Sequence, residues 1–153
     1  MINRRRRTRV LAEGRAQLAR ELAALVEASV EVVEVAAPHQ GLVMCQVRET
    51  ARNSRFYLGE ALMTECRVRI GDTEGLGAVL GMDTERARAM AVVDAALSQP
   101  EPLEVAPELE RRLLDAEVEL DRAEERAAER VLSSKVSFDT MGGQDMSVQA
   151  VVK

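Results

Sequence analysis

The sequence predicts an α+β protein: an antiparallel β-meander of about four strands, with an N-terminal helix, a helix after the sheet and a long C-terminal helix. Three observations carry this. From Phe56 to Ile70, the residues Phe56, Leu58, Leu62, Cys66, Val68 and Ile70 fall on one side and Glu65, Arg67 and Arg69 on the other, the period of a half-buried strand. Leu11, Leu18, Leu22 and Leu25 form an apolar stripe at helical spacing. Between Glu108 and Leu132, the residues Leu109, Leu113, Leu120, Ala127 and Val131 keep close to a heptad rhythm.

Taken in order, residues 1–8 read as a basic arm ending in a solvated terminus, and the first helix runs from about Thr8 to Ala28. Val30, Val32, Val33 and Val35 signal a change to strand. Pro38-His-Gln-Gly41 is expected to turn the chain into a second strand, Gly41 to Arg48. The Phe56–Ile70 strand follows, and Gly71 to Gly75 suits a hairpin into the short strand Leu76–Leu80. Asp83 is a good N-cap for a helix over Thr84–Ser98, on which Ala87, Ala91, Asp94 and Leu97 share a face. Pro100, Pro102 and Pro107 interrupt the chain before the long helix. That helix, at about 37 Å, exceeds what a compact domain of this size needs, so part of it is expected to pack on another chain. Residues 142–153 read as a flexible tail ordered by a partner.

At 153 residues the chain suits one domain, 1–153, burying roughly 70% of its unfolded surface. Only 2% of the residues are aromatic, so the core must be Val, Leu, Ala and Met, and base-stacking nucleic-acid modules are disfavoured. The net charge is −5, which disfavours a stand-alone site for a polyanion. The charge is uneven: residues 1–15 hold six arginines against one glutamate, and residues 101–130 hold eleven acids against five arginines. Cys45 and Cys66 lack the spacing of a zinc site and are expected to be reduced, in a cytoplasmic protein. No apolar run approaches the roughly 20 residues of a membrane span, and Arg4–Arg7 lacks the apolar stretch of an export signal.

Candidate chemistry is sparse. Gly75, Gly77 and Gly81 before a helix start resemble a phosphate loop only superficially, since no Gly-Lys-Ser/Thr ending follows; close backbone approach explains them better. His39, the only histidine, sits in a turn without a nearby nucleophile. Glu60 falls on the apolar side of its strand, so it is either paired, with Arg48 as the partner, or turned outward by a bulge at Gly59. Glu65 pairs naturally with Arg67 or Arg69. Asp94 poses the same question on its helix and would be explained by accepting backbone hydrogen bonds from a loop. None of these forms a nucleophile–base–orienter set.

Gly41-Leu-Val-Met44, Arg48-Glu-Thr50, Phe56-x-Leu-Gly-Glu60, Thr64-Glu-Cys66, Gly75-x-Gly77, Val79-Leu-Gly81, Ala91-Val-Val-Asp-Ala95 and the Val136-x-Phe138-x-Thr140-Met141 tail occur in an order that resembles the G subunit (PhnG) family of the bacterial carbon–phosphorus lyase system. The resemblance covers most of the chain beyond residue 30. Asp139 stands where a second aromatic is usual, Gly142-Gly143 replaces an Arg-containing segment, and Arg4–Arg7 lies outside it. It implies a subunit of a complex with PhnI, PhnH, PhnJ and PhnL-type partners, in which an alkylphosphonate displaces adenine from MgATP to give ribose 1-alkylphosphonate 5-triphosphate. In that setting the chain is accessory, inactive alone and without a cofactor of its own, and MgATP is the substrate of the complex. Leu109, Leu113, Leu120, Phe138 and Met141 are then candidates for partner contacts, and Glu60, Glu65 and Arg48 for contributions to a shared site. A free copy would have surfaces on which to form a homodimer. Two other readings stay open: an independent small-molecule enzyme using Glu60 and Arg48, and a nucleic-acid or scaffold module using the basic arm.

Overall fold

The computed structural model describes residues 2–133. The chain divides into two units, Met1–Asp121 and Arg122–Lys153. The first contains the sheet and the core. The described part of the second, residues 122–133, is helical and exposed throughout.

The N-terminal arginines are not a loose arm. They open helix α1 (Arg4–Glu13), capped by Asn3, whose side-chain oxygen accepts from the Arg6 backbone N–H at 2.9 Å. The single helix expected over Thr8–Ala28 is two, α1 and α2 (Ala16–Glu27), parted at Gly14. Gly14 is extended, yet its N–H still donates to Val10 O at 3.0 Å. A Cβ at Gly14 would stand 2.4 Å from that oxygen, so only glycine allows so tight an exit.

The sheet has three antiparallel strands in the order β1 (Val33–Arg48), β2 (Arg55–Ile70), β3 (Thr73–Leu80). The expected count of about four falls to three because Pro38 does not turn the chain. It lies within β1, at a register shift between Ala36 and His39. β1 is an edge strand, where a residue without an N–H costs no ladder bond, and a bulge absorbs it.

Helix α3 (Thr84–Ala96) starts as expected at Asp83, whose side chain accepts from Arg86 N at 2.9 Å. It lies directly on β3. A Cβ on Gly77 would stand 1.9 Å from Ala87 O, and one on Gly75 would stand 2.2 Å from Ala91 O. The glycines therefore serve close helix–strand approach, and Ala87, Ala91 and Ala95, all buried, provide the matching shallow face. Helix α4 (Ala106–Ser133) buries Leu109 and Leu113 in a core shared with Val10, Leu11, Leu22, Val26, Val92 and Val93. Each leucine contributes about 1.5–3 kcal/mol by leaving water.

Candidate functional site

The residues singled out in the sequence do not converge. Arg48 lies opposite Arg55 at the end of the β1–β2 ladder and donates to Asn53 Oδ1 at 3.0 Å. Glu60 lies opposite Met44, exposed, so no Glu60–Arg48 pair forms. A bulge does form beside Gly59, but Glu60, opposite Met44, keeps the same side as Leu62, opposite Leu42, and it is exposed because only β1 lies beside this half of β2. Cys45 pairs with Gly59 and Gln46 with Tyr57, leaving Leu58 as the extra residue. Glu65 meets His39 across the strands, Oε1 to Nε2 3.9 Å, rather than Arg67 or Arg69. Leu109 and Leu113, expected to meet a partner, are fully buried in the chain's own core, and Leu120 is half-buried. Phe138 and Met141 lie outside the described residues.

One cluster was missed in part. The Asp94 carboxylate accepts from Arg4 (Nε 3.1 Å, Nη2 2.5 Å), from Arg7 (Nε 3.2 Å, Nη2 2.7 Å) and from the backbone N–H of Leu76 at 3.0 Å. The backbone bond was anticipated; the arginines were not. Arg7 is itself buried and also donates to Leu97 O and Ser98 Oγ. Arg6 forks onto Glu117 of α4 through Nε at 2.8 Å and Nη2 at 2.5 Å. That hydrogen bond, and then the charge of Arg6, hold the Glu117 carboxyl below the usual glutamate value despite burial. The signal was present: Arg4 and Arg7 are three apart and share a helix face, and an acid on the apolar face of α3 needs a cation. Arg4, Arg6 and Arg7 are thus matched by carboxylates of α3 and α4 rather than held on a loose arm.

A groove between α2 and α4 is lined by Arg15, Leu18, Glu21, Arg112, Asp115 and Glu119. Its charges cancel locally. Arg112 bonds Glu108 at 2.6 Å, and hydrogen bonds from Arg111 and then Arg112 lower the Glu108 pKa to about 2. Cys66 is buried, its thiol pushed up chiefly by desolvation, and it donates to Ala36 O at 3.4 Å. Among the described residues, no group of three or more His, Cys, Asp or Glu side chains is placed to hold a metal ion. None of the described helices is long and apolar enough to cross a membrane.

What stands out is the far half of the β1–β2 hairpin. β3 pairs with β2 only over Met63–Ile70, so residues 55–62 run on beside β1 alone. Here both faces carry exposed apolar side chains: Leu42 (63%), Val43 and Met44 on β1, Phe56, Tyr57 (62%) and Leu58 (69%) on β2. Leu80 and Met82 extend the surface at its base. So much apolar area on a two-stranded ribbon is the mark of a protein-binding surface. Counting in twos puts Phe56 and Leu58 on a buried face because it passes straight through the bulge between Tyr57 and Gly59 and takes no account of where β3 ends.

The family model of phosphonate metabolism protein PhnG matches residues 2–143 of the chain. The alpha-D-ribose 1-methylphosphonate 5-triphosphate synthase subunit PhnG of Rhizobium meliloti (strain 1021) is 33% identical over 112 residues, covering 72% of this chain and 70% of that protein.

Proposed function

Because the chain belongs to the phosphonate metabolism protein PhnG family, we propose that it is an accessory subunit of a carbon–phosphorus lyase complex, acting as one subunit over residues 1–153 in the cytoplasm. With PhnI, PhnH and PhnL-type partners, and PhnJ in the same core complex, it takes part in forming alpha-D-ribose 1-methylphosphonate 5-triphosphate from MgATP and a phosphonate. A phosphonate oxygen bonds to C1′ of the ribose as the bond from C1′ to adenine breaks, and adenine takes the electron pair and a proton. Such a displacement requires a held anion and a stabilised cationic sugar centre.

The observation that carries this reading is the doubly exposed apolar hairpin of residues 42–58, a surface suited to a neighbouring subunit. The separation of Glu60, Glu65 and Arg48 supports a site completed by partners over an independent enzyme built on these residues. Co-expression with the I, H and J subunits, size-exclusion chromatography and an adenine-release assay test it. The chain should co-elute, and omitting it should lower adenine release. A chain that neither associates nor changes release, or one that turns over ATP and methylphosphonate alone, overturns the proposal.

A further inference from the structure

The tip of the hairpin is chemically unlike its shank. Arg48 and Arg55 are direct cross-strand partners and Arg52 sits in the turn between them, so three guanidiniums share eight residues. Like charges placed opposite each other destabilise a hairpin. The acid within the segment does not relieve them. Glu49 Oε1 accepts from the backbone N–H groups of Ala51 (2.8 Å) and Arg52 (3.1 Å), and Oε2 accepts from Ser54 Oγ at 3.1 Å. Its carboxylate is thus occupied in tightening the turn, where Asn53 adopts a left-handed conformation (φ 56°). Among the described residues, neither Arg52 nor Arg55 has an ion pair. The tip stands about 25 Å beyond the last residue of β2 that β3 covers. The chain as a whole is acidic, so this is a local reversal of its field.

We infer that the hairpin is a two-part arm: its apolar shank is covered by a partner subunit, and Arg48, Arg52 and Arg55 at its tip bind the triphosphate of the nucleotide held in that partner. This rests on the proposed function and goes beyond it by assigning substrate contacts to this chain. Guanidinium forks match phosphate oxygens two at a time. Three of them around one turn suit a group carrying several negative charges within a few ångströms, which a triphosphate does and a single phosphonate does not. The role is one of positioning: held by its phosphates, the nucleotide presents C1′ to the phosphonate without any of the three arginines touching the reacting bond.

The test uses the co-expressed complex with the double variant Arg52→Gln/Arg55→Gln, the triple variant that adds Arg48→Gln, and the matching triple lysine variant. These side chains are exposed and outside the core. The glutamine variants should co-elute as the wild type does. Their KM for ATP should rise by about tenfold or more, and KM for methylphosphonate should stay near the wild-type value. Binding of inorganic tripolyphosphate to the complex should weaken in parallel, and lysine should restore part of both. An unchanged KM for ATP with co-elution intact overturns the inference alone. So does a rise confined to KM for methylphosphonate, or loss of co-elution, which would mean that the tip meets acidic side chains of the partner. Failure of the wild-type chain to co-elute removes the proposed function, and this assignment with it.

Discussion

One strand, β2, has two different surroundings. Over its last seven residues Thr64, Cys66, Val68 and Ile70 are buried beneath α3 while Arg67 and Arg69 face solvent. Over its first seven the apolar residues continue with Phe56, Tyr57 and Leu58, yet all three are exposed, and the bulge at Leu58 puts Phe56 on the side opposite Leu62 and Cys66. The pattern that predicts a half-buried strand therefore states what a strand is able to bury, not that its own chain supplies the cover. Near the helices the cover is α3, seated on Gly75 and Gly77; farther out, β2 has only β1 beside it.

This contrast can be broken from either end. The largest effect is expected at the covered end. Asp94→Ala removes the acceptor of Arg4, Arg7 and Leu76 N–H and leaves the buried Arg7 charge unmatched, which should cost about 3–5 kcal/mol, read as a lowered urea midpoint. A smaller effect belongs to the second ion pair. Arg6→Gln should lower the urea midpoint at neutral pH by much less than Asp94→Ala, since Arg6 is half exposed. It should also flatten the acid limb of the stability profile. Glu117 has its folded pKa depressed below the ordinary 4.5 by Arg6, so its contribution is complete above 4.5 and drains away as pH falls below it. Glu108, lowered to about 2, acts in the same direction and keeps part of the acid limb in the variant. Thermal melts from pH 7 to pH 3 read both. The smallest effect on stability is expected at the uncovered end: Leu42→Ser with Leu58→Ser should change the unfolding free energy by no more than about 0.5 kcal/mol. The same pair should abolish co-elution with the partner subunits. A large loss of stability there would mean that the far hairpin is supported by its own chain after all.

The elements with local causes were legible. Asp83 as a cap, the alanine face of α3, the period of β2 and the long amphipathic α4 each follow from a few neighbouring residues, as does the role of Gly75 and Gly77. What escaped depends on residues far apart. Pro38 reads as a turn until β1 is known to be an edge. Leu109 and Leu113 read as a seam for another chain until α1 and α2 are known to fill the space beside them. A bulge beside Gly59 is legible in the sequence, but only the cross-strand register shows that Glu60 stays on the side of Leu62 while Phe56 changes sides. Of the candidate site, Glu60, Glu65 and Arg48 were noticed for their charge, but the feature that distinguishes Arg48 is the presence of Arg55 opposite, which only the register reveals.

The ion pairs of α1 also bear on when the protein becomes itself. Arg7 and Asp94 are 87 residues apart in sequence, and Arg6 and Glu117 are 111 apart. On the ribosome the first helix emerges long before either acid exists, so its arginines stay hydrated until α3 and then α4 have been made. Helix α1 is thus locked only after α3 and α4 are in place. Nascent chains whose emerged part stops before residue 94 should leave α1 open to protease, whereas chains whose emerged part extends past residue 121 should protect it.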